Sequence, residues 1–163
     1  MRVLKLALIS IVVLFGVITA IASLLPSHVR ISRAIDVNAP ASKVYAMVDS
    51  IRAWESWNEY IRFYHHKQWK ANEMTSDETT IVIGQRSDTL VTAAWSRPSG
   101  NNFHSGYRII AQDSLHSTLQ WYFDFQLHWY PWEKFQSIVY DQQLGPDMEK
   151  SLQNLKRKAE QTL

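Results

Sequence analysis

The chain has 163 residues, with 17 Lys and Arg against 15 Asp and Glu, 46% apolar residues and no cysteine. The lack of cysteine excludes a disulfide scaffold, a thiolate zinc site and a cysteine nucleophile. When Arg2 and Lys5 are set aside with the N-terminal segment, the rest of the chain is neutral, which argues against a nucleic-acid-binding protein. The length fits one domain with a short appendage.

The N-terminal segment is apolar enough to enter a membrane. Residues 6–25 carry no charge, and as a helix they would cover about 30 Å, the thickness of a hydrocarbon core. Arg2 and Lys5, followed by the small residues Ala20-Ile21-Ala22, also fit a cleaved signal peptide. The apolar run continues past that site to Leu25, which favours an uncleaved anchor. We therefore expect a membrane anchor over residues 1–26 and a separate domain over residues 27–163.

The first strand of that domain contains one unusual residue. Residues 29–37 alternate between apolar and polar side chains, which is the period of a half-buried strand. Arg33 falls on the apolar face of this strand. A strand end or a buried ion pair would explain the position, and contact with a ligand is the alternative.

A helical region follows at Pro40, because proline suits a first helical turn, where its missing N–H costs nothing. Trp54 and Trp57 are three residues apart and would be neighbours on one side of a later turn. They would either close one end of the core or line the entrance to a ligand site.

The middle of the chain predicts an antiparallel meander. Strand-like stretches near 61–70, 78–84, 89–97, 103–112 and 116–129 are separated by short turn segments. The last stretch gives the strongest alternation, with one face formed by Leu119, Trp121, Phe123, Phe125, Leu127 and Trp129. One face of the predicted sheet is therefore strongly aromatic.

The C-terminal part predicts helices. Pro131 begins a helical stretch with Trp132, Phe135, Ile138 and Val139 on one side. The pair Gly145-Pro146 predicts a helix end followed by a new helix. From there an amphipathic stripe runs through Met148, Leu152, Leu155, Ala159 and Leu163, and we expect it to pack on the aromatic face of the sheet.

Three segments, in this order, resemble the SRPBCC superfamily, which contains START, Bet v 1-like and polyketide cyclase/dehydrase proteins. They run from Ile35 through Ala39-Pro40 to Tyr45, from Trp54 to Asn58, and from Gly145 through Leu152 and Leu155 to Glu160. The resemblance implies an α+β helix-grip fold, in which a curved antiparallel sheet wraps around a long C-terminal helix and encloses a hydrophobic cavity. It is strongest to small membrane-anchored bacterial members, which implies a single pass through the bacterial cytoplasmic membrane. The basic residues before the apolar run lie closer to it than those after it, which favours an extracytoplasmic domain.

Residues for catalysis are sparse. His65 and His66 are adjacent, so on a strand they point to opposite faces and cannot share a metal ion. No metal site and no cofactor are expected. The candidates for acid–base chemistry are His65, which follows apolar residues at period two, and Arg33.

Three functions remain open. A binding module would hold a lipid, isoprenoid or polyketide-like molecule between sheet and helix, lined by Trp95, Tyr107, Trp121, Phe123 and Phe125. A cyclase- or dehydratase-like enzyme would use His65 with Arg33. In the third reading the aromatic residues fill a solid core and the domain acts through protein contacts at the membrane.

Overall fold

A computed structural model describes residues 2–100 and 102–161. The helices are α1 (Arg2–Ser23), α2 (Ala41–Val48), α3 (Ile51–Trp54), α4 (Glu59–Phe63), α5 (Pro131–Ser137) and α6 (Tyr140–Glu160). The strands are β1 (His28–Val37), β2 (Gln68–Trp69), β3 (Glu73–Thr75), β4 (Thr80–Ser87), β5 (Leu90–Ser96), β6 (Phe103–Ala111) and β7 (Ser117–Gln126).

The strands form one antiparallel sheet in the order β1-β7-β6-β5-β4-β3-β2. Strand β1 is therefore at an edge, where it pairs with β7 along its whole length, from His28 opposite Gln126 to Val37 opposite Ser117. Helix α6 packs on the same sheet beside β1. The expected α+β helix-grip architecture is confirmed.

Helix α6 is attached to β1 at several points along its length. Near its C-terminus, Lys156 Nζ donates to the carbonyl of Asp36 at 2.6 Å, and Glu160 accepts from the backbone N–H of Asn38 at 2.8 Å. Nearer its N-terminus, Arg33 binds Glu149 at 2.7 Å and Asp141 at 2.9 Å. These contacts set the direction of the helix across the sheet.

Helix α6 continues through Gly145-Pro146, so the predicted helix end there was wrong. A proline normally forces the preceding residue out of helical geometry because its ring clashes with that residue's N–H and Cβ. Gly145 has no Cβ, so that part of the clash is removed. A Cβ at Gly145 would also lie 2.3 Å from Arg33 Nη2, so the glycine lets the arginine side chain cross close to the helix.

The prediction of a strand over 61–70 was also wrong. Residues 59–63 form α4, and of the predicted stretch only Gln68 and Trp69 belong to a strand. Asn58 begins the helix, since its side-chain oxygen accepts from the backbone N–H groups of Tyr60 at 3.0 Å and Ile61 at 3.4 Å. The alternation of Ile61, Phe63 and His65 was therefore coincidental.

The last strand is shorter than the predicted 116–129, because β7 ends at Gln126. Leu127 is still buried, whereas Trp129 is 67% exposed and lies outside the sheet. The helix that begins at Pro131 is present as α5. Its predicted apolar side faces outward, away from the core.

Helix α1 has the length and apolar composition of a membrane span, and a signal sequence near the N-terminus would have the same properties. It packs against α5. Ala22, in its last turn, is buried, whereas the apolar residues of its first turns are exposed. Most of its surface therefore contacts no other part of the described chain.

Candidate functional site

Aromatic side chains fill the middle of the space between the sheet and α6. Most of them are completely buried, and they come from α3, α4 and the turn between them as well as from the sheet: Trp54, Trp57, Tyr60, Trp95, Tyr107, Trp121 and Phe123. Their ring centroids lie 4.9–6.5 Å apart, which is the range of direct aromatic contact. This part of the space between the sheet and α6 is a packed core.

Tyr60 closes the gap between the sheet and the helix. Its ring lies edge-on to Trp121 at 5.8 Å and to Phe123 at 5.7 Å. Its hydroxyl donates to the carbonyl of Leu144 in α6 at 2.7 Å. One side chain from α4 thus contacts both layers, and burial raises its pKa above the ordinary tyrosine value.

Glu59, next to Tyr60, holds α4 against α6. It is only 3% exposed, and its carboxylate accepts from Asn154 at 2.6 Å and pairs with Lys150 at 2.9 Å. Its backbone N–H donates to Ser151 Oγ at 2.9 Å. The hydrogen bond from Lys150 is the main reason that the pKa of Glu59 lies below its ordinary value.

Trp54 and Trp57 are part of the core, so of the two sequence interpretations the structure fits the packing role and not the ligand entrance. Both are fully buried. The indole of Trp54 donates to the carbonyl of Val48 at 2.8 Å, and that of Trp57 donates to the carbonyl of Met47 at 3.1 Å. Their polar atoms are thus satisfied by α2 rather than directed towards a ligand entrance.

Burial of Tyr107 leads to a prediction for alkaline stability. Its hydroxyl is fully buried, and this burial raises its pKa well above the ordinary value of about 10. Because the folded state holds this proton more tightly, the resulting stabilisation is complete below about pH 10 and is lost as the pH rises further. Urea midpoints measured between pH 9 and pH 11.5 should fall more steeply for the wild type than for Tyr107→Phe. Parallel curves for the two proteins would contradict the prediction.

A pocket remains at one end of the sheet, with a volume of about 210 Å³. The ends of β6 and β7, the loop after β5 and the first turns of α6 form it. Its apolar part consists of Phe103, Phe125, Leu127, Tyr140 and Leu144, and its polar part of Arg97, Asn102, Gln126, His128, Glu133 and Gln143, with Gly100 at the edge. The ring of Phe103 lies 5.0 Å from that of Phe125, and the ring of Tyr140 lies 4.9 Å from Phe125.

The rim of this pocket carries charged and titratable groups. The Arg97 guanidinium lies 4.9 Å above the ring of Phe103, and within residues 2–100 and 102–161 no carboxylate is within 4.0 Å of it. His128 contacts Glu133 at 3.1 Å through its Nδ1 atom. Burial is the main reason that the pKa of Tyr140 lies above its ordinary value.

Comparison with known proteins identifies the family. The model of the family described as polyketide cyclase / dehydrase and lipid transport matches residues 28–160, which is most of the chain. This chain belongs to the polyketide cyclase/dehydrase and lipid transport family. The resemblance to the SRPBCC superfamily noted from the sequence is thereby confirmed. No curated protein matches this sequence.

Solved structures show the same fold with little sequence identity. A START superfamily protein from Mycobacterium smegmatis is 13% identical, with a TM-score of 0.59, and the match covers 82% of this chain and 99% of that one. The Zhui aromatase/cyclase from a Streptomyces species is 12% identical, with a TM-score of 0.61, and the match covers 82% and 94%. Norcoclaurine synthase from Thalictrum flavum is 7% identical, with a TM-score of 0.58, and the match covers 83% and 96%. At such low identity these similarities establish the fold alone.

Of the five residues predicted to line a ligand site, Phe125 is the one that lines this pocket. Phe125 lines the pocket and is half-buried. Trp95, Tyr107, Trp121 and Phe123 lie instead within the aromatic core, where other side chains cover them completely. The prediction assumed that the inward face of the sheet would line a cavity, but α3 and α4 supply the rings that fill it.

Neither catalytic candidate lies at the pocket. Arg33 is bound to Asp141 and Glu149. The hydrogen bond with Asp141 is the main reason that the pKa of Arg33 is raised, and the hydrogen bond with Glu149 is the second. The ion-pair explanation of its position therefore fits the structure. His65 is exposed, in the loop after α4, because the predicted strand that directed it inward does not form.

The sequence pattern did not predict most of the residues that line the pocket. Phe103 begins a predicted strand, whereas Tyr140 and Leu144 come before the helical stripe that the sequence emphasised. Their meeting depends on α6 beginning at Tyr140 and not after Pro146. A recognisable signal was present, since Tyr140, Leu144 and Met148 already continue the stripe backward at a spacing of four residues.

Proposed function

We propose that this chain is a membrane-anchored protein that binds the apolar part of a small hydrophobic ligand in the pocket at the end of its sheet. The pocket itself carries this proposal, since it combines an aromatic and aliphatic floor with a polar rim that includes Arg97. Small-molecule sites commonly bury an apolar group and orient its polar end in this way. The family, which joins cyclases with lipid transport, supports the same class of ligand.

The size of the pocket limits what it holds. Its volume of about 210 Å³ is below the roughly 300–1,000 Å³ of sites that enclose a drug-sized molecule. We infer that it takes one ring, or the end of an acyl, isoprenoid or polyketide-like chain. The polar remainder of the ligand stays at the rim, near Arg97 and His128.

The anchoring part of the proposal rests on α1. Residues 1–26 would hold the protein in the bacterial cytoplasmic membrane by a single pass, and residues 27–163 would form the ligand-binding domain on the extracytoplasmic side. The exposed apolar surface of α1 supports this division, because it is the surface that a bilayer would cover.

Two neighbouring residues of α6 allow a controlled test of the pocket. Gln143 is exposed and lines the pocket, whereas Gln142 is exposed and does not line it. We expect Gln143→Trp to fill the opening without disturbing the core, and Gln142→Trp to leave it open. The wild type and both variants would be purified in the same detergent, extracted with organic solvent and compared by mass spectrometry.

The bound ligand is the species that is depleted in Gln143→Trp and retained in both other proteins. Its mass and fragmentation would give its chemical class. Identical extracts from all three proteins would overturn the binding proposal, and would favour the reading in which a solid domain acts through protein contacts.

A second candidate function is cyclase- or dehydratase-like catalysis. The observation in its favour is that His128, held by Glu133, lines the pocket and provides the acid–base group that such chemistry needs. If dehydration occurs there, the extract of His128→Gln should contain a species one water molecule heavier than the wild-type ligand. The same species in both extracts would support binding without catalysis.

A further inference from the structure

A segment after the last strand exposes an unusual amount of apolar surface. Trp129 is 67% exposed, Trp132 is 60% exposed and Ile138 is 61% exposed. Phe135 and Val139 are also exposed, and they lie on the same apolar side of the predicted helical stretch as Trp132 and Ile138. We call residues 129–139 the aromatic segment. Contiguous apolar surface of this kind marks an interaction site.

The composition of the aromatic segment fits the boundary between lipid and water. The ring of Tyr130 contacts those of Trp129 and Trp132, with centroids 4.9 and 4.8 Å apart respectively. Tryptophan and tyrosine are enriched where membranes meet water, because their rings prefer the acyl region and their polar atoms prefer the headgroups.

The position of the aromatic segment relative to α1 is fixed by direct contacts. Helix α5, which forms its centre, packs against α1, and the buried part of α1 is its last turns, where Ala22 is 1% exposed. Lys134 Nζ donates to the carbonyl of Leu25 at 2.8 Å and to Ser27 Oγ at 2.7 Å. Lys134 itself is buried, so this connection lies inside the junction.

These contacts determine how deep the aromatic segment would lie. Ile18 is half-buried and Ala22 is buried, and we infer that they mark the level at which α1 packs against α5. The apolar run ends at Leu25. At about 1.5 Å per residue, Ile18 lies roughly 10 Å inside the end of that run. Helices that lie in the membrane interface bury their apolar face to a depth of about 5–10 Å. A span by α1 would therefore place α5 at interfacial depth.

We propose that the aromatic segment, residues 129–139, lies in the interface of the membrane that α1 spans, so that the pocket opens at the bilayer surface. The pocket residues Leu127, His128 and Tyr140 border the segment on both sides, and Glu133 lies within it. A ligand dissolved in the membrane would thus reach the pocket without crossing water. This inference rests on the anchoring proposed above.

Single labels in the full-length chain test the proposal. The chain has no cysteine, so each introduced cysteine is the only labelling site. Trp132→Cys and Ile138→Cys report on the aromatic segment, Val12→Cys reports on α1, and Ser114→Cys reports on the β6–β7 loop, at the far end of a strand about 30 Å long. Each protein would carry a nitrobenzoxadiazole label in vesicles of phosphatidylcholine and phosphatidylglycerol.

Two quenchers distinguish the depths of the labels. Iodide on both sides of the vesicles quenches labels in water, and lipids with a nitroxide near the headgroup quench labels at the interface. We expect headgroup quenching about tenfold stronger at positions 132 and 138 than at position 114, because interfacial burial brings the labels within about 5–10 Å of the headgroups. The label at position 12 should be protected from iodide.

The possible outcomes separate this inference from the anchoring proposal. If the label at position 12 is protected while those at 132 and 138 respond to iodide like that at 114, the aromatic segment lies in water and the inference is wrong. If the label at position 12 responds to iodide, α1 does not span the membrane, and the anchoring proposal fails. Two labels in the segment guard against a local effect of either substitution.

Discussion

We expect Trp121→Ala to lower the free energy of unfolding by about 3–5 kcal/mol, since truncation of a buried aromatic side chain removes its contacts and leaves a cavity. Trp121 is fully buried, and its ring lies 5.0 Å from Phe123, 5.2 Å from Tyr107 and 5.8 Å from Tyr60. Domains of this size are stable by only about 5–15 kcal/mol, so the loss is a large part of the total. The shift in urea midpoint at constant slope measures it.

Phe125→Ala is the matched control for this prediction. Phe125 lies on the same strand, but it is half-buried and borders the pocket. Its truncation should therefore cost less than that of Trp121. The sequence alone predicts several kcal/mol for both substitutions, and the structure separates them. Equal losses from the two variants would mean that the core does not centre on Trp121.

The Trp121→Phe variant tests how the indole N–H of the same side chain affects stability. Its Nε1 atom is buried and has no hydrogen-bond partner in the part of the chain that the structure describes. Phenylalanine removes this unsatisfied donor, whose burial costs about 1–3 kcal/mol, and leaves a smaller void than alanine does. We therefore expect Trp121→Phe to retain most of the stability that Trp121→Ala loses.

The second large effect concerns the membrane. We expect removal of residues 1–26 to transfer the protein from the membrane fraction to the soluble fraction with its domain folded. Residues 6–25 contain thirteen Leu, Ile, Val and Phe residues, each of which favours insertion by about 0.3–0.6 kcal/mol. Together they give about 4–8 kcal/mol, or three to six orders of magnitude in partitioning. Centrifugation and circular dichroism of the shortened chain measure the two parts of the expectation.

The mass of the full-length protein provides the control for this prediction. An intact N-terminus in the membrane fraction supports an anchor, whereas a mature chain that begins near Ser23 would show cleavage of a signal peptide. The shortened chain loses the carbonyl of Leu25 as an acceptor for Lys134 but keeps Ser27 Oγ. Aggregation of an otherwise folded shortened chain would show that α1 must cover α5.

The sequence predicted those elements whose local pattern agrees with their tertiary environment. Strands β1 and β7 alternate because one face of each is buried, and they pair directly. The alternation of apolar and polar residues gave a wrong strand prediction where a short helix produced the same alternation, as in α4. The sequence pattern also misled at Pro146, where the preceding residue is Gly145, whose missing Cβ removes one of the clashes by which a proline disfavours a helix.

The pocket was harder to predict than the fold, for a physical reason. A strand pattern shows that Trp95, Trp121 and Phe123 face inward, but it does not show which other element covers them. That depends on long-range contacts such as those of Tyr60 with the sheet and with Leu144. The pocket lies where this covering ends, so its prediction would have required knowledge of how α4 and α6 pack.

The pairing of β1 also has a mechanical consequence. Helix α1 ends at Ser23, and β1 begins at His28 at the edge of the sheet. If α1 is the anchor proposed above, a force that lifts the domain away from the membrane would reach the sheet through the first residues of β1. Because β1 pairs with β7 over all ten of its residues, a pull along the axis of β1 would load the hydrogen bonds of that ladder together in shear, and they would not open one after another.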